Sequence, residues 1–117
     1  MYSHPQQGLD TSEVLRLRQR AGRWVRILRE NAGLSQRELA KATGIDYYSF
    51  ISQIESGRGR IPPERYLAFA EAFGIDPKHF VQELLRYYDP ITYDILYSRD
   101  PVSPQIGATR ARAEQEG

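Results

Sequence analysis

Residues 34–57 read LSQRELAKATGIDYYSFISQIESG. Ser35 followed three residues later by Glu38 has the spacing of a capping box, in which hydroxyl and carboxylate each take one of the unsatisfied N–H groups at a helix start. Leu39, Ala40 and Thr43 follow at helical intervals, and Gly44 stands where a left-handed residue closes a helix. A tight connection through Gly44, Ile45 and Asp46 then leads into another short helix. Asp46 is its expected N-cap, and Ser56 and Gly57 mark its end. Its expected buried stripe is Tyr47, Ile51 and Ile54, with Phe50 on the flank.

Working outward, a long helix is expected from about Thr11 to Ala32. Asp10 and Glu13 have capping-box spacing. Val14, Leu17, Ala21, Val25, Leu28 and Ala32 form one apolar stripe, flanked by Trp24, and Gly33 ends the helix. Arg16, Arg18, Arg20, Arg23, Arg26 and Arg29 ring the remaining surface, the pattern of a solvated face. Downstream, Arg58, Gly59 and Arg60 form a basic link. Pro62 or Pro63 falls in the first turn of a fourth helix carrying Tyr66, Leu67, Phe69, Ala70 and Phe73, closed by Gly74. Asp76 and Pro77 open a fifth, with Phe80, Val81, Leu84, Leu85 and Tyr88 on its apolar face. Asp89 and Pro90 break it, and a last short helix is expected over Ile91 to Tyr97.

The expected fold is therefore all-α: five helices, an extra short C-terminal helix, and no strand-like alternation. Residues 1–9 are expected to form a flexible arm, 10–97 one domain, and 98–117, with Pro101, Pro104 and Gly107, a disordered tail. A length of 117 residues suits a single core, and 26% charged against 40% apolar residues is ordinary for a globular chain.

Composition removes several functions. The chain has no cysteine, so a disulfide framework, a thiolate nucleophile and Cys-ligated zinc are out. His4 and His79 are too far apart in sequence for a local metal pair. Glu64 and Glu71 lack a nucleophile–base set beside them, so no enzyme and no cofactor are expected. No apolar run approaches a membrane span, and the first residues lack signal-peptide character, which makes a cytoplasmic location the expectation. The net charge of +1 is uninformative as a total. Its distribution is not: residues 1–60 hold ten Lys/Arg and six Asp/Glu, residues 61–117 six and nine. The basic half contains the segment quoted first.

Two short helices joined by a glycine-centred turn within a helical bundle form a helix-turn-helix. In that arrangement the first helix crosses a DNA backbone and the second enters the major groove. Tyr48, Ser49, Ser52 and Gln53 lie opposite Ile51 and Ile54 and carry groups that hydrogen-bond to bases. Gln can pair bidentately with adenine.

The run from Leu34 to Ala40, Gly44, then Ile51 to Gly57, Pro62, and Leu67 to Ile75 closely resembles the lambda-repressor-like Cro/cI (xenobiotic-response-element) helix-turn-helix family, over residues 23–85. The resemblance implies a five-helix lambda-repressor-like domain and a sequence-specific, double-stranded-DNA-binding transcriptional regulator. Tyr48, Ser49, Ser52 and Gln53 then match base-facing positions. Gln36 and Arg37 at the start of the second helix, and Ser56, Arg58 and Arg60 after the third, match phosphate-facing ones. Arg29 and Glu55 match a structural ion pair.

One departure stands out. Gly44 to Ile51 spans seven steps where the family has six, so one residue is added, and either the recognition helix is longer or the turn bulges. For Tyr47 and Phe50 packing is favoured, although Phe50, if exposed, would suit a thymine methyl. Tyr48 is assigned to DNA.

A dimeric repressor on an inverted repeat is expected, since two-fold proteins read two half-sites. Leu84, Leu85, Tyr88, Ile91 and Ile95 are the candidate dimer surface, with Tyr87, Tyr93 and Tyr97 either core or part of it. The alternative is an antitoxin or protein-interaction module of the same fold, holding a protein partner.

Overall fold

Local signals start most of the helices in this chain. The computed structural model describes residues 10–98. They form α1 (Thr11–Asn31), α2 (Gln36–Thr43), α3 (Tyr48–Ser56), a 3-10 turn (Pro63–Arg65), α4 (Tyr66–Phe73), α5 (Pro77–Tyr88) and α6 (Pro90–Tyr97), with no strand among the described residues. The arm expected at 1–9, and all of the tail expected at 98–117 except Ser98, lie outside the described residues.

At the start of α2 both halves of the capping box are made. Glu38 N–H donates to Ser35 Oγ at 3.0 Å, and Ser35 N–H donates to the Glu38 carboxylate at 2.8 Å. At α1 only one half is made. Asp10 accepts the Glu13 N–H at 2.8 Å, whereas the Glu13 carboxylate turns to Arg16 at 2.8 Å. The backbone N–H of Glu13, then the Ser12 hydroxyl, hold the Asp10 carboxyl below its ordinary range. Asp89 serves two helices. Its N–H closes α5 on Leu85 O at 2.9 Å, and its carboxylate accepts the Thr92 N–H at the start of α6. Gly33, Gly44, Gly57 and Gly74 all have the positive φ of a helix-ending residue.

The core is assembled from every helix except α6. Ala21 and Val25 of α1, Leu39 and Ala40 of α2, Ile51 and Ile54 of α3, Phe69 and Ala70 of α4, and Phe80, Leu84 and Tyr88 of α5 are buried, with Ile61 from the connection. Trp24 stacks on Phe80 at 5.5 Å, and Phe73 meets Phe80 edge-on at 5.8 Å, arrangements that ring quadrupoles favour. Within the α1 stripe, Val14, Leu17 and Leu28 are half-buried. Ala32 is exposed, because it lies one residue past the helix as its C-cap.

α1 and α3 touch backbone to backbone. A Cβ on Gly22 would collide with the carbonyl oxygen of Glu55, so only glycine permits this approach. At the other end of the contact, Gly57 has φ +89° and lies so near Gln19 that a Cβ would sit 2.9 Å from its Cα.

Two sequence expectations are corrected. Tyr47 is not part of a buried stripe, and Asp46 is not the N-cap. Tyr47 is itself the capping position, in extended backbone (φ −120°, ψ 120°), without a side-chain cap bond and 75% exposed. The four-residue spacing from Tyr47 to Ile51 aligns side chains only inside a helix, and α3 begins one residue later. The connection between α2 and α3 therefore runs from Gly44 to Tyr47. The second correction concerns the candidate dimer surface. Leu84 and Tyr88 are core, because α5 turns the stripe Phe80, Leu84, Tyr88 toward α1 and α4. The Tyr88 hydroxyl accepts the Ile61 N–H at 3.0 Å inside the domain. Leu85 is half-buried, while Ile91 and Ile95 are exposed.

Candidate nucleic-acid interface

Successive residues of a helix are about 100° apart, so Tyr48, Ser49, Ser52, Gln53 and Ser56 share one side of α3 and Phe50, Ile51 and Ile54 the other. The structure follows that division. Ile51 and Ile54 are fully buried and Phe50 packs against the core, whereas Tyr48, Ser49, Gln53 and Ser56 are exposed and Ser52 is half-buried. The polar side of α3 faces out because its apolar side is fixed by α1 and α2.

Two neighbouring helices hold α3 in register. Arg29 of α1 donates to both carboxylate oxygens of Glu55, at 2.6 and 3.1 Å, and to the carbonyl of Leu34 at 2.8 Å. Gln36 of α2 donates to Glu55 at 3.1 Å. The ion-pair side chains are only 10% and 6% exposed, and the hydrogen bond to Glu55 keeps the Arg29 guanidinium above its ordinary pKa despite burial. Glu55 therefore ties α1, α2 and α3 at one point.

The end of α3 is equally fixed. The backbone carbonyl of Gln53 accepts the N–H groups of Arg58 and Gly59 at 3.0 Å each, and the Ser56 hydroxyl at 3.1 Å. The exposed Gln53 side chain thus projects from an immobilised backbone. Ser56 Oγ also accepts from Arg58 Nε at 3.2 Å, which sets the direction of an exposed guanidinium.

The other phosphate-assigned residues divide into two groups. Gln36 uses one amide hydrogen on Glu55 and keeps the second for an outside acceptor. Arg37 lies over the Tyr48 ring, 4.2 Å from its centroid, a cation–π stack that leaves the guanidinium edge available. Arg60 is instead drawn inward, over the Tyr88 ring at 4.4 Å and within 3.4 Å of the Tyr66 hydroxyl. Beside Arg37 and Tyr48 a shallow depression of about 390 Å³ is also lined by Lys41 and Asp46. The structure brings Tyr48, Ser49, Ser52, Gln53, Ser56, Gln36, Arg37 and Arg58 to one side of α2 and α3, with Arg60 half-buried against Tyr88 and Tyr66.

Sequence reasoning set Tyr47 aside as a packing residue. The structure instead places it exposed, directly ahead of α3, where the helical period does not apply. Among the described residues no helix is long and apolar enough to cross a membrane, and no group of three or more His, Cys, Asp or Glu could hold a metal ion.

The family model described as a helix-turn-helix domain matches residues 20–84. Among solved structures the chain is similar to the clp gene regulator ClgR from C. glutamicum. The two are 26% identical with a TM-score of 0.50, over 62% of this chain and 91% of that one. It is also similar to the restriction-modification controller protein C.AhdI from Aeromonas hydrophila, at 29% identity and a TM-score of 0.47, over 59% of this chain and 97% of that one. No curated protein matches the chain.

Proposed function

The chain belongs to the helix-turn-helix domain family, and on that premise we propose that it is a sequence-specific, double-stranded-DNA-binding transcriptional regulator acting as a dimeric repressor. The observation that carries this reading is α3: a polar, outward face on a helix locked from behind by Glu55, Ile51 and Ile54. Similarity to ClgR, a gene regulator, supports the regulatory part.

In this reading α3 lies in the major groove. Gln53 pairs with an adenine edge, and Ser49, Ser52 and the Tyr48 hydroxyl take neighbouring donors and acceptors. Gln36, Arg37, Ser56 and Arg58 bond phosphates on either side of the groove and set the register. Arg60, stacked on Tyr88, adds positive potential and shapes the loop that carries Arg58. Each phosphate neutralised contributes about −0.9 to the slope of log affinity against log salt, so a handful of contacts gives a modest slope.

A second copy is proposed to dock through α6. Ile91, Ile95, Leu96 and Tyr97 are exposed on it, with Ile91 and Ile95 one turn apart on the same side. Such a patch is characteristic of an interaction face. A two-fold dimer presents two copies of α3 about 34 Å apart, and hence reads an inverted repeat. Occupying that operator blocks other proteins from it, which is sufficient for repression.

Selection of bound sequences from random duplex DNA tests the reading. The expected outcome is an inverted repeat with half-sites about ten base pairs apart, centre to centre. Recovery of no consensus, together with salt-independent or absent binding, would remove it.

A further inference from the structure

Three aromatic side chains stand at the entrance to α3, and the structure gives them three different situations. Phe50 is half-buried and packed against the core. Tyr48 has one ring face covered by the Arg37 guanidinium at 4.2 Å, so what it offers outward is its hydroxyl and ring edge. Tyr47 has neither commitment. At 75% it is more exposed than any other large apolar or aromatic side chain among the described residues. It makes no cap bond, and its extended backbone immediately precedes the helix.

The N-terminal end of a recognition helix is the part that reaches base edges. An uncommitted ring there needs an apolar partner, and the apolar feature of the major groove is the C5-methyl group of thymine. Phe50 would suit such a contact by chemistry but is half-buried against the core. The connection after α2 runs through Tyr47, so its ring stands ahead of the helix and outside its period.

We infer that Tyr47 is a specificity-determining residue that reads the methyl group of a thymine at one position of each half-site. The inference rests on the DNA-binding reading above and deepens it.

The test compares wild type, Tyr47→Ala and Tyr47→Phe in selections from random duplex DNA. Each thymine of the wild-type consensus is then replaced by uracil, which removes only the methyl group. Tyr47 is exposed and caps nothing, so Tyr47→Ala should melt with wild type. In wild type, uracil at one position of the half-site should weaken binding about four-fold for each half-site substituted, the effect of one buried methyl. Tyr47→Ala should lose the thymine preference at that position alone and bind the thymine and uracil duplexes equally, while Tyr47→Phe behaves as wild type. The inference is overturned if Tyr47→Ala keeps every base preference, or if uracil costs wild type and Tyr47→Ala the same. A wild-type selection without any consensus overturns the DNA-binding reading and this inference with it. An unchanged consensus in Tyr47→Ala overturns this inference alone.

Discussion

α3 and α6 are nearly the same length, nine and eight residues, and they are held in opposite ways. α3 starts without a side-chain cap and has no charged residue at its first turn. It is fixed by what surrounds it: Ile51 and Ile54 in the core, Glu55 on Arg29 and Gln36, and the Gln53 carbonyl on the following loop. α6 has strong local signals, an Asp89 cap and Pro90 at its first position, yet buries none of its residues and lies along α5 with Ile95 67% exposed. Helices this short are marginal by themselves. The front helix therefore takes its position from the fold and presents a polar face with little freedom. The back helix takes its start from sequence and leaves Ile91 and Ile95 exposed, the side proposed above for a second copy.

The contrast can be broken first at Glu55. Glu55→Ala leaves the Arg29 guanidinium buried without its carboxylate, and a loss of about 3–5 kcal/mol of stability is expected in denaturant unfolding, with DNA binding lost alongside. A loss below ~1 kcal/mol would mean that α3 is held by its apolar side alone. Next is Tyr88, which joins α5 to the loop after α3. Tyr88→Phe removes the acceptor of the buried Ile61 N–H and should cost about 1–3 kcal/mol. Burial pushes the Tyr88 phenol from its ordinary 10.0 up to about 12. For a raised folded pKa the associated stability is complete below pH 10 and is lost as pH rises through about 12. Urea unfolding of wild type should therefore weaken over that window, and Tyr88→Phe should flatten the decline. The smallest effect on stability belongs to α6. Ile95→Asp should change monomer stability by less than about 0.5 kcal/mol. In sedimentation experiments it should abolish concentration-dependent dimerisation. Wild-type-like dimers in that variant would place the two-fold contact elsewhere.

Much of this was legible in the sequence because it was written locally. Ser35 with Glu38, Asp76 with Pro77, and the four helix-ending glycines set helix boundaries through bonds spanning three or four residues. The polar face of α3 was legible too, since Ile51 and Ile54 fix which side is buried. What remained hidden depended on distant partners. Gly22 reads as a weak point in a long helix until Glu55 of α3 is seen against it. Leu84 and Tyr88 read equally well as core or as dimer surface, because periodicity says which side is apolar and not what covers it. The Tyr88 ring beneath Arg60 was not legible either, since it comes from α5. Tyr47 was misread for another reason: the helical period was extended one residue past the point where the helix begins.

The central claim is that α3 reads base edges while its flanks hold the backbone. The most direct measurement is the affinity of Gln53→Ala and Arg58→Ala for every single-base variant of the selected half-site. Gln53→Ala should lose discrimination at one position, where a good bidentate pair gives about 1–3 kcal/mol, and keep it elsewhere. Arg58→Ala should weaken binding evenly across all variants and reduce the salt slope by about 0.9 per domain. Full affinity and unchanged preference in both variants would contradict the placement of α3 in the groove.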